Sequence, residues 1–214
     1  MNAIISFHDE GYQPLADITW FQNKKEYCER HGYAAVHEIL TVHGHGGQMH
    51  KVDFINRMLH DPANYEWVWW TGCDLMITNM TTRMEDKVDD NYQMIIATDC
   101  NGFNSDSILI KNSPESKEYW GMIRDVTATL HWHWEGEQKA IKDSYPNYKK
   151  QIKVVPQRDI NSYDYKIYGD RYKPYDFLGT NGQWQHGDWV IQWPGIFLPE
   201  RVKLAEYYST LIVR

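Results

Sequence analysis

The chain has 214 residues, 42% of them hydrophobic and 24% charged, which are ordinary globular proportions that exclude a disordered or collagen-like chain. That length is enough to bury a real core within a single domain spanning residues 1–214. A net charge of -7, from 22 basic and 29 acidic residues, argues against a nucleic-acid binder, which would carry a basic face.

Residues Ala3 to Phe7 read as a buried strand that exits into His8-Asp9-Glu10-Gly11. Ile18 to His31 has helical spacing with Gly32 as its stop, and Tyr33 to Ile39 is β-like. The Gly-rich HGHGGQMH that follows reads as a loop, and Lys51 to His60 as a helix closed by Asp61-Pro62. Tyr65 to Trp70 (YEWVWW) is a second buried strand, leading through Thr71-Gly72-Cys73-Asp74 to apolar Leu75–Ile77. Met94 to Ala97 is a third strand, stopping at Asp99-Cys100-Asn101, and Ser107 to Ile110 a fourth. Ser113-Pro114 opens a helix to about Leu130, Glu137 to Lys142 is a short helix, Ile152 to Val155 a fifth strand and Trp189 to Trp193 a sixth. Strands alternating with helices predict an α/β fold with a largely parallel sheet, whose ligands gather at the carboxyl ends of the strands. Here those ends carry His8-Asp9, Asp74 and Asp99–Asn101.

Asp74 ends a strand too apolar to hold an acid within it, so its carboxylate either binds a hard divalent cation or caps a turn. There is no P-loop, no Gly-x-Gly-x-x-Gly and no Gly-x-Ser-x-Gly, which sets aside Walker ATPases, ordinary Rossmann dehydrogenases and serine hydrolases. His43, His45 and His50 sit in a Gly-rich setting with no rigid scaffold for zinc. Glu135, Glu137, Asp99 and Asp106 are the carboxylates from which a glycoside hydrolase would draw its pair. Ten Trp, fifteen Tyr and six Phe predict many rings half-exposed at a binding surface, with Trp132, Trp134, Trp184 and Trp193 divided between surface and packing. A carbohydrate-binding module with an aromatic face therefore stands as an alternative.

Seven segments in one order carry a family resemblance. YEWVWWTGCDLMITN resembles the W-[IV]-W-W-x-D-x-D-A segment of the family 34 glycosyltransferases, the galactosyl-, mannosyl- and xylosyltransferases with a GT-A fold. HGYAAVHE, HKVDFINRML, NGFNSDSILIKNSPES, EQKAI, VPQRDINSY and HGDWVIQWPGI are similar to the family's other segments, so the likeness spans roughly residues 4 to 200. It implies a GT-A α/β fold with a mixed, mostly parallel central sheet flanked by helices. It also implies transfer of a hexose-type sugar from a UDP-sugar to a glycan or glycoprotein acceptor, with retention, assisted by Mn2+ or Mg2+. The compact form, with no membrane span, resembles virus-encoded members acting on capsid glycans.

By that resemblance Phe7, His8 and Asp9 meet the uracil and ribose, and Tyr12 stacks on the base. Lys51 meets phosphate or sugar hydroxyls, and Asn104, Ser105 and Asp106 face the donor sugar. Glu137 and Gln138 stand beside the anomeric carbon, and His186, Gly187 and Asp188 close over the diphosphate. Two departures stand out: Gly72 replaces the first Asp of Asp-x-Asp, and Gln192 replaces the family's metal-binding His. The metal is then expected on Asp74 with Gln192 or His186. The retaining step goes either through a covalent adduct on Glu137 or Asp106, or by attack on the leaving-group face with Gln138 and Asp106 positioning the partners. The three cysteines, Cys28, Cys73 and Cys100, form no disulfide framework, no run approaches the ~18 apolar residues of a membrane span, and the expected setting is soluble and cytoplasmic.

Overall fold

The computed structural model describes residues 1–41, 46–130, 133 and 135–214. Its centre is a six-stranded sheet in the order β2-β1-β3-β6-β5-β7. The strands are β1 (Ala3–Asp9), β2 (Ala34–Leu40), β3 (Trp67–Thr71), β5 (Met94–Asp99), β6 (Gly102–Lys111) and β7 (Ile152–Val155), and β4 (Leu75–Ile77) belongs to a second sheet. Strand β1 pairs in parallel with β2 and β3, β5 in parallel with β7, and β6 alone runs antiparallel to its neighbours β3 and β5. This is the mixed, mostly parallel GT-A arrangement. The second sheet orders β4 next to β9 (Val190–Gln192) and then β8 (Ser162–Tyr163).

All five residues of β3 are buried, because apolar layers cover both faces of the sheet and no position in the strand reaches water. Alternation sorts the side chains. Val68 and Trp70 join Ile5, Ile96 and Ile108 on one face, under helices α3 (Gly46–Leu59), α4 (Pro114–Thr129) and α5 (Glu137–Tyr148). Trp67 and Trp69 join Ile4, Ile95 and Leu109 on the other face, against Tyr27 and Trp189. The Trp69 and Trp189 rings stack at 4.1 Å, which ties the second sheet to the first.

The first helical stretch begins at Gln13, five residues before the predicted start, because Pro14 sits in the first turn, where its missing N–H costs nothing. It runs through α1 (Gln13–Ala16), a wide-wound segment Asp17–Lys24, and α2 (Lys25–His31), and ends at left-handed Gly32. The wide segment aims polar side chains at the chain beyond β3. Thr19 donates to Cys73 O at 2.7 Å, Lys24 to Gly72 O at 2.8 Å, and Asn23 bonds both the N–H and the C=O of Ile77 at 2.8 Å. Helix α3 takes in Gly46–His50, which were predicted as loop; His43 and His45 lie outside the described residues. Helix α5 continues to Tyr148 across Pro146 rather than stopping at Lys142. The short α6 (Gln157–Ile160) and the final α7 (Leu198–Ser209) complete the helices the site depends on.

The rings divide between core and surface: Phe21, Tyr175, Phe177, Phe197 and Tyr207 are exposed, while the tryptophans lie mostly inside. Of the tryptophans among the described residues, Trp20, Trp67, Trp69, Trp70, Trp120, Trp189 and Trp193 are buried, and half-buried Trp184 donates to Thr78 Oγ1 at 3.2 Å. Trp132 and Trp134 lie outside the described residues. The buried tryptophans fill core layers. Trp189→Ala is expected to cost about 3–5 kcal/mol in a urea unfolding series, since it empties the joint between the sheets; a loss below about 1 kcal/mol would show that the stacking with Trp69 carries no load.

Candidate functional site

A cavity of about 510 Å³ opens at the carboxyl ends of β1 and β3 and over β6. The predicted residues Phe7, His8, Asp9, Tyr12, Lys51, Asp74, Asn104, Ser105, Asp106, Glu137 and Gln138 all line it.

Strand β6 explains how three polar neighbours reach the cavity. The prediction began this strand at Ser107, but it starts at Gly102, and its register with β5 jumps between Ile96, opposite Ile108, and Ala97, opposite Asn104. Ser105, Asp106 and Ser107 form the excess, a bulge that turns them away from β5, as bulges beside sites do. Asp106 O accepts from Gly72 N at 2.8 Å, which joins the bulge to the end of β3. Asn104 Oδ1 accepts from Asp106 N at 2.9 Å, while its Nδ2 donates to Asp99 at 3.1 Å and to Tyr163 at 2.6 Å. Asn104 thus fixes the bulge from beneath. Burial pushes the Asp99 carboxyl above its ordinary range, opposed by hydrogen bonds from Asn101 N–H, Tyr163 and Asn104.

Two charged clusters face each other across the bulge. In the first, Lys51 Nζ is 2.7 Å from Glu137 Oε1, 3.0 Å from Ser105 Oγ and 3.5 Å from Asp106 Oδ1, and it also bonds Ser105 O. Ser105 Oγ donates to Glu137 at 2.8 Å, and Ser105 N to Gln138 Oε1 at 3.1 Å. The ammonium lies 5.1 Å from the centroid of Trp70. Glu137 Oε2 is buried with no protein partner, an acceptor left over in this cluster.

The second cluster centres on Asp74. Gln192 Nε2 donates to Asp74 Oδ1 at 3.1 Å and to Asp106 Oδ2 at 2.9 Å, and Arg201 Nη2 is 3.2 Å from Asp74 Oδ2. Burial raises the Asp74 carboxyl above its ordinary range, Arg201 draws it back, and Asp106 raises it further. Beneath them the buried Lys24 ammonium is pushed down to about 8, by burial first, against the pull of Cys73 and Asp74.

On the β1 side, Phe7 lies 5.2 Å from Trp70, and Asp9 caps the turn after the strand by accepting from Tyr12 N at 3.2 Å. His8 uses both ring nitrogens inside the protein, on His37 at 2.7 Å and Gln13 at 2.9 Å. Burial, then the neighbouring His8, pushes His37 down to about 3. Tyr12 presents its ring to the cavity, with its hydroxyl accepting from Arg201 at 3.3 Å.

The structure does not bring His186, Gly187 and Asp188 to this cavity. His186 is exposed, and Gly187 and Asp188 line a separate depression with Arg158. Asp188 is held there by both arms of Arg158, at 3.0 and 2.6 Å, because a half-buried carboxylate takes the nearest bidentate partner.

Expected manganese ligands are tested by the donor set. His186 stands apart, Gly72 has no side chain, and a Cβ there would lie 3.1 Å from Asp74 Oδ1 and 3.4 Å from Asp106 Cβ. Gln192 turns its NH2, a donor, to both carboxylates, and its Oε1 is buried without a partner. Asp74 already carries a guanidinium. Among the described residues no three His, Cys, Asp or Glu side chains converge as a metal set. These residues do not fit a resident divalent ion.

Sequence reasoning missed Arg201 and Lys24. Arg201 is an isolated cation in an ordinary amphipathic helix and carries no motif. Lys24 was findable, since Thr19, Asn23 and Lys24 form a polar stripe on the inner face of a helix.

A sequence profile of the galactosyl transferase GMA12/MNN10 family matches residues 8–91 and 87–195. The chain belongs to this family. It is 30% identical over 182 residues to a probable alpha-1,6-mannosyltransferase MNN10 of Saccharomyces cerevisiae, a match covering 66% of this chain and 46% of the relative. It is 24% identical to an alpha-1,2-galactosyltransferase of Schizosaccharomyces pombe, over 75% of this chain and 54% of that one. The chain therefore spans about half the length of these relatives. Among solved structures, a glycosyltransferase involved in glycosylation of the major capsid of PBCV-1 superposes with a TM-score of 0.72 at 15% identity, covering 96% of this chain and 99% of the other. The galactosyltransferase LgtC superposes at 0.54 and 12% identity, covering 99% of this chain and 95% of that one. Both likenesses are to GT-A folds. Among the described residues no helix is long and apolar enough to cross a membrane.

Lys24 gives a pH test of how the chain under Gly72 is held. Its folded value lies near 8 against 10.5 for a free lysine. Between those values the unfolded chain binds more protons, so the cost of burying Lys24 is full below about pH 8 and lifts as pH rises. The stability difference, wild type minus Lys24→Met, is expected to grow by about 3 kcal/mol from pH 7.5 to 10.5. A difference that stays flat would contradict it.

Proposed function

We propose that this chain is a retaining glycosyltransferase moving a hexose-type sugar from a UDP-sugar to a glycan or glycoprotein acceptor. The observation that supports it most is the pair of charged clusters, Lys51–Glu137–Ser105 and Asp74–Gln192–Asp106, side by side in one cavity at the strand ends. Family membership makes a glycosyl donor the natural occupant.

In this reading the Tyr12 ring and the Phe7 edge receive the base, and Asp9 faces the ribose. Lys51 holds Glu137 and Ser105 beneath the donor sugar and supplies positive charge close to its hydroxyls. Glu137 Oε2, the unused acceptor, takes a sugar hydroxyl. Gln138, with its oxygen committed to Ser105, keeps its NH2 for the donor. Asp106, 43% exposed in its side chain, is the carboxylate that reaches the incoming acceptor. The anomeric C–O bond to the diphosphate breaks on the face where the acceptor oxygen bonds, and the acceptor's proton passes to the departing phosphate oxygen. Charge grows on the diphosphate as the bond breaks, so fixed positive groups there lower the barrier.

UDP-galactose, UDP-glucose, UDP-xylose and GDP-mannose, each with a mixed oligosaccharide acceptor, test the proposal through nucleotide release. One UDP-sugar is expected to release UDP in step with product, and Asp106→Asn to slow turnover about 10²-fold or more with UDP affinity nearly unchanged. Release of free sugar from a glycan without any nucleotide donor, or a sugar adduct in intact-mass spectra, would contradict the reaction as written.

A further inference from the structure

The cavity is lined by six carboxylates, Asp9, Asp74, Asp99, Asp106, Glu135 and Glu137, and a donor diphosphate would add more negative charge beside them. Lys51 is spoken for: it touches Glu137, Ser105 and Asp106 on the sugar side. On the Asp74 side the cation is Arg201. It comes from α7, and its guanidinium is fixed in place by three contacts. Nε donates to Trp193 O at 3.0 Å, Nη1 to Tyr12 OH at 3.3 Å, and Nη2 lies 3.2 Å from Asp74. Its carbon sits 5.8 Å from the Tyr12 ring centroid, and the side chain is 12% exposed while lining the cavity. Those contacts use three of the five N–H groups of an arginine, so two remain for a phosphate, one on each terminal nitrogen.

The neighbours of Arg201 fit this arrangement better than they fit an ion. Gly72 removes a carboxylate where a side chain would press on Asp74 and Asp106. Gln192 stitches those two carboxylates together with a donor group, which a cation between them would repel. Arg201, ion-paired to Asp74, supplies one positive charge at the place where a divalent ion would bring two.

We propose that Arg201 is the group that receives the donor's diphosphate and neutralises it on departure, with Asp74 as the positioning residue that holds the guanidinium, so that nucleotide binding needs no divalent metal. The proposal rests on the nucleotide-sugar reading above. Its chemistry is that of Arg–phosphate recognition: two charge-assisted hydrogen bonds made in a largely enclosed site.

Binding of UDP and of uridine is measured in EDTA and again with manganese chloride, and GDP and guanosine are run beside them. The wild-type protein is expected to prefer UDP to uridine in EDTA, with manganese changing the UDP affinity by less than about threefold. Arg201→Met is expected to lose UDP affinity by roughly ten- to a hundredfold while uridine affinity stays the same. Asp74→Asn guards against a variant that fails to fold: it retains UDP preference with and without manganese if Arg201 is the phosphate ligand, whereas if Asp74 is a metal ligand the preference appears only with manganese in the wild type and is lost there in the variant. UDP binding that requires manganese, or an Arg201→Met protein with an unchanged UDP-to-uridine ratio, overturns this proposal and leaves the donor reading standing. Absence of binding by both nucleotides under every condition overturns both.

Discussion

A buried carboxylate must be paired, and the geometry of this site follows from how Asp74 meets that requirement. Asp74 stands where the chain leaves the main sheet for the second one, between β3 and β4. Its partners come from elements far apart in sequence: Gln192 from β9 and Arg201 from α7, with Lys24 of the first helical stretch bonded to the carbonyl two residues earlier. Its own C=O accepts from Trp193 N at 3.3 Å. Satisfying one acid thus brings the second sheet, the last helix and the first helix to a common point at the end of β3. The Trp69–Trp189 stack supplies the apolar counterpart of the same joint.

From that point the remaining features are consequences. Gly72 lets the backbone of β3 approach the β6 bulge closely, and the bulge places Asp106 against Gln192 and Ser105 against Lys51. The two clusters share Asp106, which contacts Lys51 on one side and Gln192 on the other. Low local dielectric strengthens each contact, and it also makes any unmatched group costly. That is why the buried, unpartnered Glu137 Oε2 and Gln192 Oε1 draw attention as places where a ligand supplies the missing partner.

The sheet was legible because its strands are apolar runs ending in polar exits: AIISF before His8, YEWVWW before Gly72 and MIIA before Asp99. The convergence of those exits could be read from the rule for α/β sheets alone. Strand β6 was half-hidden, since Asn104, Ser105 and Asp106 break its apolar pattern, and they do so because the bulge turns them into the cavity. The division of the rings stayed open, because composition does not separate a ring in a two-layer core from one on a glycan-binding face. The motif-based assignment of His186, Gly187 and Asp188 to the diphosphate did not anticipate Arg158, whose bidentate grip keeps Asp188 elsewhere. Arg201 was invisible: its role comes from where α7 packs, which no local spacing encodes.

The most direct measurement is a crystal structure with a UDP-sugar bound. The account predicts the base against Tyr12, the diphosphate within hydrogen-bonding distance of Arg201, and the sugar facing Asp106 and Glu137. A nucleotide seated instead in the depression beside Arg158 and Asp188, or a diphosphate held by an ion on Asp74 with Arg201 displaced, would contradict it.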